Sequence, residues 1–77
     1  METELKELMA EVFFIEVTSI DKNSSPETID QWDSINHLNL IVAIEEKFNI
    51  SFTDEQITEM LNFGLIIEVT KQALEGK

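Results

Sequence analysis

Cysteine and arginine are absent from this sequence, and proline occurs once, at Pro26. Without cysteine, the chain can form neither a disulfide nor a cysteine-ligated metal site. Any thiol chemistry would therefore have to come from a group attached to the protein. No apolar run is long enough to span a membrane, and the acidic residues Glu2 and Glu4 differ from the basic start of a secretory signal. We expect a soluble, cytoplasmic protein with no membrane partner.

Basic residues of any kind are scarce. Five lysines stand against 16 acidic residues, which gives a formal net charge of −11. Nucleic-acid binding requires a basic surface, so this composition argues against a nucleic-acid partner. Complementary electric fields speed association, so the charge favours protein partners that carry basic patches.

The chain is short, and its 77 residues fit a single domain that spans residues 1–77. A domain of this size buries only about 60% of the surface that its unfolded chain exposes. Such a core leaves little room for a deep catalytic cleft, so we expect a module that serves larger partners rather than an enzyme. With 43% hydrophobic residues the chain is too apolar to be disordered. We expect it to be a monomer.

Apolar residues recur at helical spacing in the first half of the chain. This pattern predicts a helix over residues 2–16, with Phe13 and Phe14 in the core, and a second helix over residues 34–48, which Asn49 ends. A long loop over residues 17–32 separates the two helices. Four apolar residues of this loop are expected to brace it: Val17, Ile20, Ile29 and Trp32.

Two cap signals organise the second half of the chain. Thr53 and Gln56 fit a capping box, which predicts a short helix that ends near Met60. Asn62 is expected to cap a last helix that ends near Gly76. The sequence therefore predicts an all-α fold: a small four-helix bundle with a long first loop and a short third helix.

The predicted second helix carries two apolar stripes. At roughly 100° per residue, one stripe is an ordinary core face. It consists of Ile41, Ile44 and Phe48, with Leu40 beside them. The other stripe comprises Ile35, Leu38 and Val42. Both stripes could be buried, or the second could remain exposed and form a docking surface.

Ser34 opens this helix, and three roles are consistent with its neighbours. Asp33 and Ser34 are good helix-start residues, so the serine could be purely structural. Ser34, His37 and Asp33 also supply the residue types of a catalytic triad. However, Asp33 is adjacent to the serine and poorly placed to orient the histidine, and no glycine forms a nucleophile elbow. We instead expect His37 to be packed and hydrogen-bonded.

The third role for Ser34 is that of an attachment point. A phosphate ester at this position would meet free backbone amides and the positive end of the helix dipole. A junction between a loop and a helix would also be accessible to a modifying enzyme.

The acidic loop contains one false metal signal. The pattern Asp21-x-Asn23-x-Ser25 imitates the start of a calcium-binding loop. Such a loop requires glycine at its sixth position and glutamate at its twelfth, where this chain has Pro26 and Trp32. No metal site is predicted.

The segment from Asp33 to Ile50 carries a specific motif. It consists of Asp33-Ser34-Ile35, then Leu38, Ile41, Ala43 and Ile44, then Glu45-Glu46-Lys47-Phe48-Asn49-Ile50. This segment resembles the acyl carrier proteins, in which Asp-Ser-Leu opens an apolar helix that ends in acidic residues, Phe-Gly and Ile. Length, acidity, helix order and missing cysteine agree with the resemblance along nearly the whole chain.

The resemblance implies a function for the serine. Ser34 would carry 4′-phosphopantetheine, transferred from coenzyme A by a phosphopantetheinyl transferase, with Asp33 as its motif neighbour. The thiol of the arm would hold acyl groups as thioesters for acyl-transferring or acyl-modifying enzymes. An acyl chain is expected between helices lined by Phe13, Leu38, Ile44 and Ile66.

The resemblance also implies a docking surface. Ile35, Leu38 and Val42 match the family's partner-facing apolar positions, and Glu45 and Glu46 match its acidic ones. Asn36 and Asn39 stand where many fatty-acid carriers have acids, and Leu65 replaces another acid. These departures indicate a specialised carrier rather than one for housekeeping fatty-acid synthesis.

Two alternatives remain open at this point. Trp32 departs from the Gly-Gly-x-Ser context of peptidyl carriers, which makes an aminoacyl or peptidyl cargo the weaker alternative. The other is an unmodified helical interaction domain that docks through Ile35, Leu38 and Val42.

Overall fold

The computed structural model describes residues 1–76, and within them it contains four α-helices and no strand. The helices are α1 (Glu2–Phe13), α2 (Ser34–Phe48), α3 (Asp54–Glu59) and α4 (Phe63–Glu75), with one 3₁₀ turn at Val17–Ser19. The predicted all-α fold is confirmed, including the long first loop and the short third helix. No helix of the described part is long and apolar enough to cross a membrane.

The first helix ends earlier than its apolar pattern predicts. Phe14 adopts a left-handed backbone conformation, with φ at 57°, and its amide and that of Ile15 both donate to the Ala10 carbonyl. This is a helix-terminating turn that usually uses glycine. The left-handed turn directs the Phe14 side chain outward, where it is 92% exposed. Phe13 lies in the core as predicted, and the prediction that Phe14 also does so is wrong.

The long loop is fixed by buried side chains and by hydrogen bonds to α4. Ile20, Ile29 and Trp32 are buried, as predicted, whereas Val17 is 40% exposed and lies outside the buried core. Amides at the start of α4 reach back to the loop: that of Phe63 donates to the Ser24 carbonyl at 2.8 Å. The loop therefore has a defined path across the bundle, and this path fixes where α2 begins.

The predicted caps of the other helices are present. Asn49 ends α2 in a left-handed conformation. Thr53 and Gln56 form the predicted capping box, because the Thr53 hydroxyl accepts from the Gln56 amide at 3.1 Å and the Gln56 side chain accepts from the Thr53 amide at 2.9 Å. The Asn62 side chain accepts from the Leu65 amide at 2.8 Å and begins α4.

The two stripes of α2 have different environments. Leu40, Ile41 and Ile44 are buried, and Phe48 is half-buried against the same core. The other stripe faces water: Ile35 is 73% exposed, Leu38 56% and Val42 52%. The core stripe is confirmed, and the second stripe forms an exposed apolar ridge on the same helix.

Candidate functional site

Ser34 lies in the first turn of α2 and is exposed. The preceding residue, Asp33, has an extended backbone, and its carboxylate accepts the Asn36 amide at 2.8 Å. Within residues 1–76, the Ser34 hydroxyl has no hydrogen-bond partner, and neither do the backbone amides of Ser34 and Ile35. The first turn of the helix therefore presents a free hydroxyl beside free N–H groups.

The polar residues after Ser34 hold the loop in front of it. The Asn36 side-chain amide donates to the Gln31 carbonyl at 2.7 Å, and its side-chain oxygen accepts from the Asn39 side chain at 3.3 Å. Asn36 is half-buried, whereas Asn39 is exposed. Only a residue with an N–H donor can make the bond to Gln31, so an aspartate at position 36 could not replace it.

His37 makes hydrogen bonds through both ring nitrogens. The Trp32 indole Nε1 donates to His37 Nδ1 at 3.0 Å, and His37 Nε2 lies 3.1 Å from the Ile57 carbonyl oxygen. An indole N–H can only donate and a carbonyl can only accept, so Nδ1 is the acceptor and Nε2 carries the proton. His37 is therefore a packed histidine that links the loop, α2 and α3.

These hydrogen bonds prevent His37 and Asp33 from serving as the base and the acid of a catalytic triad with Ser34. A general base must be free to accept the nucleophile's proton. The acceptor nitrogen of His37 is occupied by Trp32, and the Asp33 carboxylate caps the Asn36 amide instead of orienting the imidazole. The geometry therefore gives Ser34 no catalytic base, and the serine hydrolase hypothesis has no support in the site.

An open groove of about 630 Å³ borders Ser34 between the start of α2 and α3. Its volume is in the range of small-ligand sites. Most of its lining is apolar, and the residues are Pro26, Trp32, Asp33, Ser34, His37, Leu38, Ile57, Thr58, Met60 and Leu61. Of the four residues expected to line a path for an acyl chain, only Leu38 borders this groove. Phe13, Ile44 and Ile66 are instead fully buried in the closed core.

The groove residues in α3 and just after it were not predicted from the sequence. Ile57 and Leu61 are four residues apart, and this helical spacing was the available signal. Their pairing with α2 depends on contacts across about twenty residues of chain, such as the bond from His37 to the Ile57 carbonyl. Such a pairing is set by tertiary packing and leaves no local pattern.

The two acidic candidates near the end of α2 differ in their surroundings. Glu45 is half-buried, and its carboxylate accepts the Phe52 amide at 2.8 Å. It therefore fixes the extended link that leads into α3. Glu46 is exposed and forms no ion pair within residues 1–76. Of the two, Glu46 has the freer carboxylate for contact with a partner.

The acidic loop uses its oxygen atoms internally. The Asp21 carboxylate accepts the Asn23 amide at 2.8 Å, and the Ser24 hydroxyl accepts the Asp21 amide at 2.9 Å. Among residues 1–76, no group of three or more histidine, aspartate or glutamate side chains is arranged to hold a metal ion.

Comparisons with known proteins place this geometry in context. No protein-family model matches the chain. The fold is similar to the solution structure of the holo acyl carrier protein from Geobacter metallireducens, with a TM-score of 0.88 and 27% identity over 97% of this chain and 86% of that one. An acyl carrier protein of Helicobacter pylori is 44% identical over 36 residues, which are 47% of this chain and 46% of that protein. The sequence match therefore spans about half of that relative.

Proposed function

We propose that this chain belongs to the acyl carrier protein family, to which its fold and half of its sequence are similar, and that it carries acyl groups as thioesters on a 4′-phosphopantetheine arm attached to Ser34. Proteins of this family are carriers rather than enzymes, so partner enzymes supply the catalysis. The observation that supports the proposal most is the exposed, unbonded Ser34 hydroxyl at the first turn of α2, beside an apolar groove.

The residues around Ser34 fit the phosphate of such an arm. The amides of Ser34 and Ile35 have no other acceptor among residues 1–76, and the positive end of the α2 dipole favours an anion there. Asp33 is the one charged residue that borders the groove, and its carboxylate is turned to the Asn36 amide. When bound, the arm supplies the thiol that this cysteine-free chain lacks.

The exposed ridge of α2 is the proposed docking surface. Ile35, Leu38 and Val42 present apolar area next to Ser34, and clusters of this kind mark interaction sites. Four polar residues of the same helix would add contacts with a partner protein: Asn36, Asn39, Glu45 and Glu46. The net charge of −11 favours partners with basic patches, among them a phosphopantetheinyl transferase and acyl-handling enzymes.

A specialised pathway is the finer part of the proposal. The Asn36 side chain donates to the Gln31 carbonyl, and the Asn39 side chain donates to Asn36. This face of α2 therefore carries neutral amides rather than carboxylates. Partners that rely on charge at these positions would bind weakly. We place the chain in the cytoplasm as a monomer that serves a dedicated set of enzymes.

Enzymatic loading tests the function directly. The protein is incubated with coenzyme A, Mg²⁺ and a promiscuous phosphopantetheinyl transferase, and its intact mass is recorded. We expect the mass of one phosphopantetheine to be added to the wild-type protein and nothing to be added to Ser34→Ala. The matched control is Ser51→Ala, because Ser51 is also exposed but lies beyond the opposite end of α2. It should load like the wild type.

Two results would overturn the proposal. An unchanged mass in the wild type, with a folded protein by circular dichroism, would leave the unmodified interaction domain as the better hypothesis. Loading that persists in Ser34→Ala would move the site elsewhere. An aminoacyl or peptidyl cargo would show as charging of the loaded protein by an adenylating enzyme specific for amino acids.

A further inference from the structure

Phe14 is the most exposed large apolar residue among residues 1–76, at 92%. Its backbone is left-handed, with φ at 57°, a conformation that glycine adopts freely and that other residues adopt with strain. The other left-handed residue of the described chain is Asn49, and asparagine tolerates this conformation. Phe14 therefore strains the backbone and contributes almost no buried apolar surface.

The fold gives no reason for a phenylalanine at this position. Glycine would form the same turn, in which the amides of Phe14 and Ile15 both donate to the Ala10 carbonyl, without the strain. Backbone strain is concentrated at functional positions, and an observed outlier is a reason to look for a function. A contact with another molecule would explain the ring.

The surface around Phe14 is acidic. Glu7 and Glu11 lie one turn apart on the exposed side of α1, and Phe14 follows three residues later. Neither glutamate forms an ion pair within residues 1–76. The single lysine of α1, Lys6, pairs with Glu2 at 3.7 Å. The ring therefore lies next to carboxylates that have no cation of their own in the described chain. Phe14, Glu7 and Glu11 are here called the Phe14 patch.

The ring and the carboxylates of the Phe14 patch attract the same kind of group. The face of an aromatic ring attracts a cationic side chain, and a carboxylate pairs with the same cation. Arginine suits both contacts best, because its planar guanidinium stacks on rings and binds carboxylates through two N–H groups. A second copy of this chain fits poorly, since each copy has a net charge of −11 and no arginine. The chemistry therefore favours a basic partner protein.

The Phe14 patch reaches the end of the bundle that carries Ser34. Phe13, the neighbour of Phe14, packs against Trp32 with ring centroids 5.7 Å apart, and Trp32 lies two residues before Ser34. Phe14 follows α1 and does not border the groove beside Ser34. An enzyme that modifies Ser34 must approach this end of the bundle, where it can also contact the patch.

We propose that the Phe14 patch is a second contact surface for the phosphopantetheinyl transferase that modifies Ser34. An arginine of the transferase stacks on the Phe14 ring and pairs with Glu11. This surface is separate from the exposed ridge of α2 and adds to it. The inference rests on the proposed function, because it requires transfer of the arm to Ser34.

Loading kinetics test this surface. Initial rates of transfer from coenzyme A are measured by intact mass over a range of carrier concentrations, for the wild type, Phe14→Ala and Phe14→Gly. We expect both variants to raise the KM for the carrier about fivefold or more, as the loss of a central interface contact does. The kcat should not change, because the contact is present before and during the transfer.

Stability measurements separate a lost contact from a folding defect. Phe14→Gly should unfold at a higher urea concentration than the wild type, because glycine relieves the strain. Phe14→Ala keeps the strain and loses only an exposed ring, so it should unfold at about the wild-type concentration. A rise in KM that both variants share would therefore not come from loss of the fold.

Removal of charge tests the carboxylates. The double variant Glu7→Gln and Glu11→Gln should raise the KM at low salt, and the difference from the wild type should shrink at high salt. The matched control is Glu68→Gln and Glu75→Gln, which makes the same change in net charge at exposed residues of α4. It should affect the KM less. Equal effects would attribute the change to net charge and contradict the inference.

The outcomes distinguish the inference from the proposed function. If the wild type is not loaded, the proposed function fails and the inference fails with it. If the wild type is loaded and both Phe14 variants load with its KM, only the inference is wrong. A Phe14→Gly protein less stable than the wild type would also contradict the inference, because the ring would then serve the fold.

Discussion

At the start of α2 the Asp33 carboxylate accepts the Asn36 amide at 2.8 Å, and at the start of α3 the Thr53 hydroxyl accepts the Gln56 amide at 3.1 Å. The two caps are locally alike, but their surroundings differ. The α3 junction is closed by its own capping box, with Gln56 bonded back to Thr53. The α2 junction has further bonds from Asn36 to the loop and from Trp32 through His37 to Ile57.

The difference shows how a reactive residue can be exposed without being mobile. The side chains of Trp32, Asp33, Asn36 and His37 all form hydrogen bonds, whereas the Ser34 hydroxyl has no partner among residues 1–76. A site held by bonds from several elements keeps its geometry better than one on a free loop. The α3 junction is held by its local cap and by the single bond from the Phe52 amide to Glu45.

Of the substitutions considered, removal of the Trp32 indole should lower the free energy of unfolding most. Trp32→Ala deletes a buried aromatic side chain and its bond to His37, so we expect the free energy of unfolding to fall by about 3–5 kcal/mol. Phe14→Ala is the control, because it also deletes an aromatic side chain but an exposed one, and it should change stability by less than about 0.5 kcal/mol. Urea unfolding followed by circular dichroism measures both. Equal losses would mean that Trp32 does not brace the junction.

The two caps give the next comparison. Asp33→Ala and Thr53→Ala each remove one cap bond, so each should lower the free energy of unfolding by about 1 kcal/mol. Only Asp33→Ala should also slow the loading of Ser34, because Asp33 adjoins the serine. Stability is read from urea unfolding and loading from a time course of intact mass. A loading defect of the same size in Thr53→Ala would show that the slowing reflects general destabilisation.

The smallest effect is expected from one asparagine. Asn36→Asp loses the donor to the Gln31 carbonyl and puts a carboxylate against it, so we expect a loss of about 1 kcal/mol of unfolding free energy. Asn39→Asp makes the same chemical change at an exposed position and should cost less than about 0.5 kcal/mol. Thermal unfolding of the two variants side by side measures the contrast. If Asn36→Asp is as stable as Asn39→Asp, the bond to Gln31 does not hold the loop.

Local patterns predicted most of the fold. The caps at Thr53 and Asn62 and the end of α2 at Asn49 each depend on residues within one turn, and all three are confirmed. The sequence left open whether the ridge is buried or exposed. Periodicity shows which residues share a face of a helix, but it does not show what covers that face. The end of α1 was predicted three residues too late, since nothing in the apolar pattern marks Phe14 as left-handed.

The candidate site was predictable only in part. The motif identifies Ser34 and Asp33 as candidate site residues. The expectation that His37 is packed and hydrogen-bonded is confirmed. The partners of His37 and the bond between Glu45 and the Phe52 amide were not predicted. These contacts depend on how α2, the loop and α3 pack in three dimensions. The spacing of the residues in the sequence does not indicate that packing.

The occupied ring of His37 bears on how long a cargo survives. The chain has one histidine and no cysteine, so this imidazole is the group best suited to activate water near neutral pH. Its acceptor nitrogen is already engaged by the Trp32 indole. A thioester beside Ser34 would consequently meet no free imidazole, and its hydrolysis would depend on a base supplied by a partner enzyme.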